Sequence, residues 1–268
     1  MLIRVKSPAL RVALPAILAT ALALATVSCE RSKIVNYREA RKRMVEREIV
    51  GRGIEDQRVV SAMLKVPRHL FIPDEHMHYS YYNLPVPIGY GQTISSPFIV
   101  ALMTQELELK STDKVLEVGT GSGYQAAILA EIADEVYTVE IIEPLAKTAE
   151  KRLKELKYDN VVVVLGDGFW GLPDYAPFDR IIVTCAPEEI PDALIEQLAD
   201  HGLMVIPVGP TGFQYLIKVK KEGDEIAIEQ VTPVSFVPLT GGHEECQDEC
   251  QDECQDDCQD ECQDECQD

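Results

Sequence analysis

Three glycines at alternate positions, Gly119, Gly121 and Gly123, separate an apolar run from a helix-like run in the stretch VLEVGTGSGYQAA. Glycine lets the backbone approach a ligand closely, and ligands of open α/β sheets bind beyond the carboxyl ends of the strands. A phosphate loop would continue with Gly-Lys-Ser/Thr, and a dinucleotide loop would be spaced Gly-x-Gly-x-x-Gly. Neither pattern is present, so these glycines point to a different ligand.

Acidic residues accompany the glycines at successive strand ends. Glu117 precedes the first glycine by two positions, Glu140 ends the next apolar strand, and Asp167 with Gly168 ends the third. A carboxylate at Glu140 can accept hydrogen bonds from both hydroxyls of a ribose, and Asp167 lies where adenine contacts are expected. Ribose and adenine partners without a pyrophosphate site favour S-adenosylmethionine over NAD. Helix capping or simple surface exposure is the alternative for Glu140 and Asp167.

The elements that position these residues alternate along the chain after Pro97. Near-continuous apolar strands that alternate with amphipathic helices predict a mostly parallel sheet with helices on both faces, an α/β fold. Two final strands, 214–221 and 225–239, predict an antiparallel hairpin added to that sheet. The predicted strands before it are 114–118, 135–140, 160–167, 178–186 and 203–209, and the predicted helices are 98–109, 124–133, 144–156 and 191–199.

The region before Pro97 predicts two further helices, 36–50 and 56–66, followed by an ordered loop over 69–97. The loop contains four prolines and many aromatic residues. His76 and His78 lie in it, but no third ligand follows at a sensible spacing, so no metal site is predicted. Cys185, inside an apolar strand, is predicted to be a buried structural thiol.

Composition divides the chain into unequal parts. The formal charge of the 268 residues is −20, but residues 243–268 carry 13 acidic and no basic residues. The remainder has 32 acidic against 25 basic residues, a net charge of −7, which argues against nucleic-acid binding through phosphate contacts. The tail is a Cys-Gln-Asp-Glu repeat without apolar residues, so we expect it to be disordered and to have no specific metal role. We expect one domain over 36–242.

The N-terminus has the pattern of a bacterial export signal over residues 1–28, followed by a linker at 29–35. Arg4, Lys6 and Arg11 precede an uncharged run that is too short to span a membrane. Cys29 stands where a lipoprotein signal places its lipidated cysteine, although Thr26 replaces the usual leucine. This predicts the cell envelope or periplasm, with possible membrane attachment through Cys29. Signal-peptidase cleavage after Ala23 or Ala25 is one alternative, and a start at Met44 with a cytoplasmic protein is another.

From about Tyr37 to Thr240 the chain resembles the protein-L-isoaspartate O-methyltransferase family. The resemblance rests on RMVEREIVGRGI, VPRHLFIP, PIGYGQTISSP, VLEVGTGSGYQAA, GDG, APFDRIIVTCA and VPLT. The loop PIGYGQTISSP is the specific part, because methyltransferases in general share only the glycine motif. The family fold is a Rossmann-like methyltransferase sheet with extra N-terminal helices and a C-terminal hairpin.

The resemblance implies transfer of a methyl group from S-adenosylmethionine to the free carboxylate of isoaspartyl residues in damaged proteins and peptides. It places the active-site hydroxyl on Ser95. It places the cofactor against Thr93, the three glycines, Glu140, Asp167 and Gly168, and we expect Glu117 to belong to the same cofactor site. That carboxylate is ionised at neutral pH, with an ordinary pKa of about 4, so no strong base is required.

The sequence leaves alternative roles for Ser95 and alternative functions of the chain open. Ser95 could cap the helix that begins beside Pro97. The chain could be another carboxyl methyltransferase on the same fold, or an inactive binding protein anchored to the envelope. No Ser-His-Asp or Gly-x-Ser-x-Gly pattern supports a hydrolase. We expect the protein to act as a monomer.

Overall fold

A computed structural model describes residues 36–242. Its α-helices are α1 (Tyr37–Met44), α2 (Gln57–Lys65), α3 (Pro97–Glu106), α4 (Tyr124–Ala130), α5 (Glu143–Glu155) and α6 (Asp192–Gln197). Its strands are β1 (Val86–Gly89), β2 (Gln92–Ile94), β3 (Lys114–Val118), β4 (Glu135–Glu140), β5 (Val161–Leu165), β6 (Phe178–Val183), β7 (Leu198–Val208), β8 (Gln214–Glu222) and β9 (Glu225–Val234). The predicted export signal, linker and acidic tail lie outside the described residues.

Seven strands form one sheet in the order β5-β4-β3-β6-β7-β8-β9. The strands from β3 to β7 pair in parallel, whereas β7, β8 and β9 pair antiparallel. The predicted parallel sheet and C-terminal hairpin are therefore confirmed. The chain runs outward from β3 to β5 and then returns to β6 on the other side of β3. This reversal creates a crevice at the carboxyl ends of β3 and β6, where ligands of such sheets bind.

Alternating residues of the sheet enter two hydrophobic cores, one on each face. On β3, Val115 packs into the core that includes residues of α2 to α5, and Leu116 packs into the core that includes residues of α6. Burial on both faces explains why β3 reads as a continuous apolar run. The exception is Glu117, a fully buried carboxyl group in the middle of the strand.

Three local predictions were wrong in detail. The predicted loop 69–97 contains 3-10 helices at Arg68–Phe71 and Asp74–Tyr79 and an antiparallel hairpin of β1 and β2. The first predicted helix changes to a π-helix at Val45–Ile49. The helix predicted over 191–199 ends at Gln197, because Leu198 already pairs with Phe178 of β6.

Within residues 36–242, no helix is both long enough and apolar enough to cross a membrane.

Candidate active site

The glycine loop follows β3 and turns directly into α4. All three of its glycines have positive φ angles, 95° at Gly119, 51° at Gly121 and 83° at Gly123. A Cβ at Gly119 would lie 2.5 Å from Oγ1 of Thr184, the residue after β6. Only glycine fits where the ends of β3 and β6 approach this closely. Because the glycines have no side chains, the backbone of the loop is accessible to a ligand in the crevice.

Glu140, the last residue of β4, holds the loop in place from the side. Its Oε2 accepts a hydrogen bond from the backbone N–H of Gly121 at 2.8 Å, and its Oε1 accepts one from Ile142 at 2.9 Å. The side chain is only 6% exposed. Each carboxylate oxygen can accept a second hydrogen bond, so Glu140 can still bind ribose hydroxyls. The residue therefore both shapes the loop and offers acceptors to a ligand.

A cleft opens at the carboxyl edge of the sheet, and we call it the glycine-loop cleft. Five predicted site residues line it: Thr93, Gly119, Gly121, Glu140 and Gly168. The other lining residues are Gln92, Val118, Val139, Ile141, Ile142, Thr184, Cys185 and the segment 237–240.

Asp167 is next to this cleft but is not among its lining residues. Its Oδ1 accepts from the N–H of Phe169 at 2.9 Å and caps the short helix Gly168–Trp170. Its Oδ2 accepts from the N–H of Gly242 at 2.8 Å. The capping role that the sequence left open for Asp167 is thus present, and its contact with an adenine ring stays a prediction.

A second cleft, the Ser95 cleft, adjoins the first. It is lined by Thr93, Ile94, Ser95, Val100, Met103, Glu117, Gly119, Thr120, Gly121, Ser122, Tyr124, Gln125 and Thr184. The alternative role of Ser95 as a helix cap is wrong, because the N-cap of α3 is Ser96. Ser95 therefore lies at the cleft wall, one residue before the cap.

Arg68 lies directly behind the segment that carries Ser95. It is fully buried, and its Nη2 donates a hydrogen bond to the carbonyl oxygen of Ser95 at 2.7 Å. Its guanidinium carbon is 4.9 Å from the centre of the Tyr124 ring. Its Nε and Nη1 are buried without hydrogen-bond partners among residues 36–242. Burial lowers the pKa of Arg68 to about 10, so the guanidinium remains charged at neutral pH and brings positive potential to this wall.

Glu117 lines the Ser95 cleft from β3, and neither of its carboxylate oxygens has a hydrogen-bond partner in the described part of the chain. Burial, with a smaller contribution from the charge of Glu140, raises the pKa of Glu117 to about 8, and the nearby Thr138 hydroxyl offsets part of this rise. The carboxyl group is therefore protonated at neutral pH. A cation bound in the cleft would favour its ionised form.

Cys185 follows β6, packs against the core that includes residues of α6 and also lines the glycine-loop cleft, so the predicted buried structural thiol is confirmed only in part: the residue is partly exposed. The strand ends at Val183, three residues earlier than the apolar pattern suggested. Burial raises the pKa of Cys185 to about 12, with smaller contributions from the charges of Glu140, Asp167 and Glu117. The thiol stays protonated and is a poor nucleophile.

Comparison with known proteins identifies the family. A family model described as protein-L-isoaspartate(D-aspartate) O-methyltransferase matches residues 39–244, most of the chain. The chain belongs to this family.

Individual relatives agree with this assignment. A protein-L-isoaspartate O-methyltransferase from Dictyoglomus thermophilum is 54% identical over 205 residues, which cover 76% of this chain and 93% of the relative. A solved structure described as protein-L-isoaspartate O-methyltransferase has a TM-score of 0.69 at 26% identity, covering 75% of this chain and 66% of that chain. A candidate protein-L-isoaspartate O-methyltransferase from Plasmodium falciparum, crystallised with S-adenosyl-L-homocysteine, has a TM-score of 0.66 at 28% identity. The match covers 74% of this chain and 97% of that chain.

In this member of the isoaspartate methyltransferase family, Gly123 belongs to neither cleft. A Cβ at Gly123 would meet Leu153 of α5 at 3.3 Å, so the glycine lets α5 pack closely against the loop. Its predicted contact with the cofactor stays a prediction.

The sequence reading missed several residues of this methyltransferase fold's crevice. The Thr184 hydroxyl donates hydrogen bonds to the carbonyl oxygens of Val118 and Gly119, at 3.0 and 2.7 Å. These bonds connect the end of β6 to the end of β3. The position of Thr184 near the end of a predicted apolar strand was the only local signal. The segment 237–240 reaches the cleft through long-range contacts, and a buried arginine such as Arg68 has no periodic signal.

Proposed function

We propose that this chain methylates the free carboxylate of L-isoaspartyl residues in damaged proteins, with S-adenosylmethionine as the methyl donor. One observation carries the proposal. Thr93, Gly119, Gly121 and Thr184 line both clefts, so the two clefts meet at the end of the glycine loop. A donor cleft that opens onto an acceptor cleft suits group transfer between two bound molecules.

The residues of both clefts fit S-adenosylmethionine. Gly119 and Gly121 line the donor cleft with backbone alone, and Glu140 offers free acceptor positions for a ribose. The carboxyl oxygens of Glu117 have no hydrogen-bond partner within residues 36–242, and ionisation of this group would suit the cationic end of the molecule. When bound, S-adenosylmethionine supplies a methyl group on a positively charged sulfur, which is open to attack by an anionic oxygen.

The protein's own contribution is alignment and charge. Correct placement of reacting groups contributes about 7–11 kcal/mol in favourable cases. Ser95 would donate a hydrogen bond that orients the acceptor carboxylate, and buried Arg68 behind it favours negative charge at that wall. The glycine loop and Glu140 fix the donor. No described residue has to act as a base, because the acceptor oxygen is already ionised.

A pair of peptides that differ only in one residue, aspartyl or isoaspartyl, tests this function. With labelled S-adenosylmethionine, we expect methylation of the isoaspartyl peptide and none of the aspartyl peptide. Equal labelling of both peptides would favour a general carboxyl methyltransferase. Tight cofactor binding without labelling of either would favour the inactive binding protein.

Ser95→Ala should lower kcat by about 10-fold or more while the Kd for S-adenosylmethionine changes by less than about 3-fold, because one hydrogen bond to a charged group contributes about 1.5–3 kcal/mol. Steady-state kinetics and calorimetry check the two values. Ser96→Ala is the matched control, since Ser96 makes no side-chain capping bond at α3. Equal losses of turnover and cofactor affinity would show that Ser95 acts through the fold.

We infer that the chain is exported to the cell envelope and retained through Cys29. The support is the sequence alone: Arg4, Lys6 and Arg11, the uncharged run and the position of Cys29. An acyl chain contributes about 0.8 kcal/mol per buried methylene and would hold the protein at a membrane. Supply of S-adenosylmethionine, which is made in the cytoplasm, is the argument for the cytoplasmic alternative.

Cell fractionation with immunoblotting separates these locations. Loss of membrane association in Cys29→Ser supports the anchor, whereas a full-length protein in the soluble cytoplasm, with residues 1–28 retained, contradicts export.

We further propose that the protein acts as a monomer, because the described part of one chain supplies both clefts. A molar mass equal to that of two chains in analytical ultracentrifugation would contradict the monomer.

A further inference from the structure

The hairpin of β1 and β2 contains an unusual turn beside the active site. Gly89 and Gln92 are paired, so the turn consists of two residues, Tyr90 and Gly91. Both have positive φ angles, 54° and 72°, the pattern of a type I′ turn. The preceding Gly89 is also positive at 95°. Tyr90 is therefore a bulky residue held in the left-handed region.

Within residues 36–242, the packing of the hairpin does not explain a tyrosine at this position. The first central residue of a type I′ turn is favourably asparagine, aspartate or glycine, and a bulky side chain is strained there. The Tyr90 side chain is 63% exposed, so burial does not compensate for the strain. An exposed aromatic residue held in a strained conformation at the edge of a site is a reason to suspect a role in binding.

The turn is held against the active site on both sides. On one side, Ile88 of β1 lies 3.3 Å from the position that a Cβ of Gly121 would take in the glycine loop. On the other side, Gln92 and Thr93 of β2 line the glycine-loop cleft, and Ser95, the first residue after β2, lines the Ser95 cleft. Tyr90 thus lies in the turn of a short, braced hairpin, two residues before Gln92 of the cleft lining.

We propose that Tyr90 is a specificity-determining residue that contacts a side chain next to the isoaspartyl residue of the polypeptide substrate. The inference rests on the proposed function, because a polypeptide acceptor must continue out of the Ser95 cleft across its rim. A tyrosine ring offers a large apolar surface with little conformational freedom to lose. It therefore suits an apolar or aromatic neighbour better than glycine.

Tyr90→Asn tests this inference without threatening the fold, because asparagine favours the left-handed conformation. We expect Tm to rise by about 2–4 °C. We expect KM to rise about 5- to 10-fold for isoaspartyl peptides with phenylalanine beside the isoaspartyl residue, with kcat and the Kd for S-adenosylmethionine within about 2-fold of wild type. The probes are three short isoaspartyl peptides, with phenylalanine before the residue, with phenylalanine after it, or with glycine on both sides.

Two variants serve as controls. Tyr90→Phe keeps the ring and should keep the wild-type KM. Ile228→Asn removes an equally exposed apolar side chain, 61% exposed on the edge strand β9, four strands from β3 in the sheet, and should also leave KM unchanged. An unchanged KM in Tyr90→Asn for all three peptides would overturn the inference, as would an equal loss of affinity for S-adenosylmethionine. Failure of the wild-type protein to methylate any isoaspartyl peptide would instead overturn the proposed function.

Discussion

Glu117→Gln should make the protein more stable at alkaline pH, with a gain that disappears in acid. Burial raises the pKa of Glu117 from 4.5 to about 8 in the folded chain. Below pH 4.5 both folded and unfolded chains hold the proton, so the carboxyl group is tolerated. Between pH 4.5 and 8 the unfolded chain ionises and the folded chain does not, so stability falls as pH rises. Glutamine cannot ionise and avoids this loss.

The shift corresponds to as much as about 5 kcal/mol above pH 8, because one pKa unit corresponds to about 1.36 kcal/mol. For a protein of this size that is roughly 10–20 °C in Tm. Thermal unfolding of both proteins between pH 4 and pH 9 measures the difference. Glu135→Gln, an exposed glutamate on the neighbouring strand, is the control. A difference between wild type and Glu117→Gln that stays constant across pH contradicts the buried, neutral carboxyl group.

The same residue connects stability to ligand binding. If the cationic end of S-adenosylmethionine binds beside Glu117, ionisation of Glu117 should accompany binding at pH 7. Calorimetry in two buffers of different ionisation enthalpy should then detect release of a proton in wild type and none in Glu117→Gln. Identical buffer dependence in the two proteins would remove Glu117 from the donor site.

Glu140→Ala should raise the Kd for S-adenosylmethionine by roughly 10- to 150-fold, since hydrogen bonds to charged groups contribute about 1.5–3 kcal/mol. The loss has two sources. On the proposed role of Glu140 the ribose would lose its acceptor, and Gly121 and Ile142 would lose the carboxylate that accepts the hydrogen bonds of their N–H groups. Tm should fall as well, because the glycine loop loses its lateral support.

Calorimetric titration well below Tm measures this effect on the folded protein. Glu140→Gln should be intermediate, because the amide keeps one acceptor oxygen but replaces the other with a donor. Glu135→Ala, at the opposite end of the same strand β4, should bind like wild type. Unchanged affinity in Glu140→Ala would show that Glu140 supports the loop without touching the ligand.

Much of the fold was readable from the sequence because its signals are local. The apolar strands and amphipathic helices predicted the parallel sheet, and Gly119 and Glu140 were recognised at strand ends. Parallel topology then requires those ends to meet at one edge. The positions of Thr93 and Ser95 came only from the family resemblance.

The rest depends on contacts between distant segments. Four prolines and many aromatic residues led us to predict a loop where the hairpin of β1 and β2 lies, although glycines such as Gly89 and Gly91 also permit a tight turn. Thr184 and Cys185 were counted within a strand because the apolar run continues past Val183. Arg68 contacts Ser95 across 27 residues, and no periodic pattern reports such a contact.

Mass spectrometry of the reaction product tests the central claim most directly. The full-length protein, S-adenosylmethionine and a peptide with one isoaspartyl residue should give a product heavier by one methylene, with the methyl ester on the free carboxylate of that residue. This ester should then close to a succinimide with loss of methanol. A methyl group on any other carboxylate, or no mass change in a protein that still binds S-adenosylmethionine, would contradict the account.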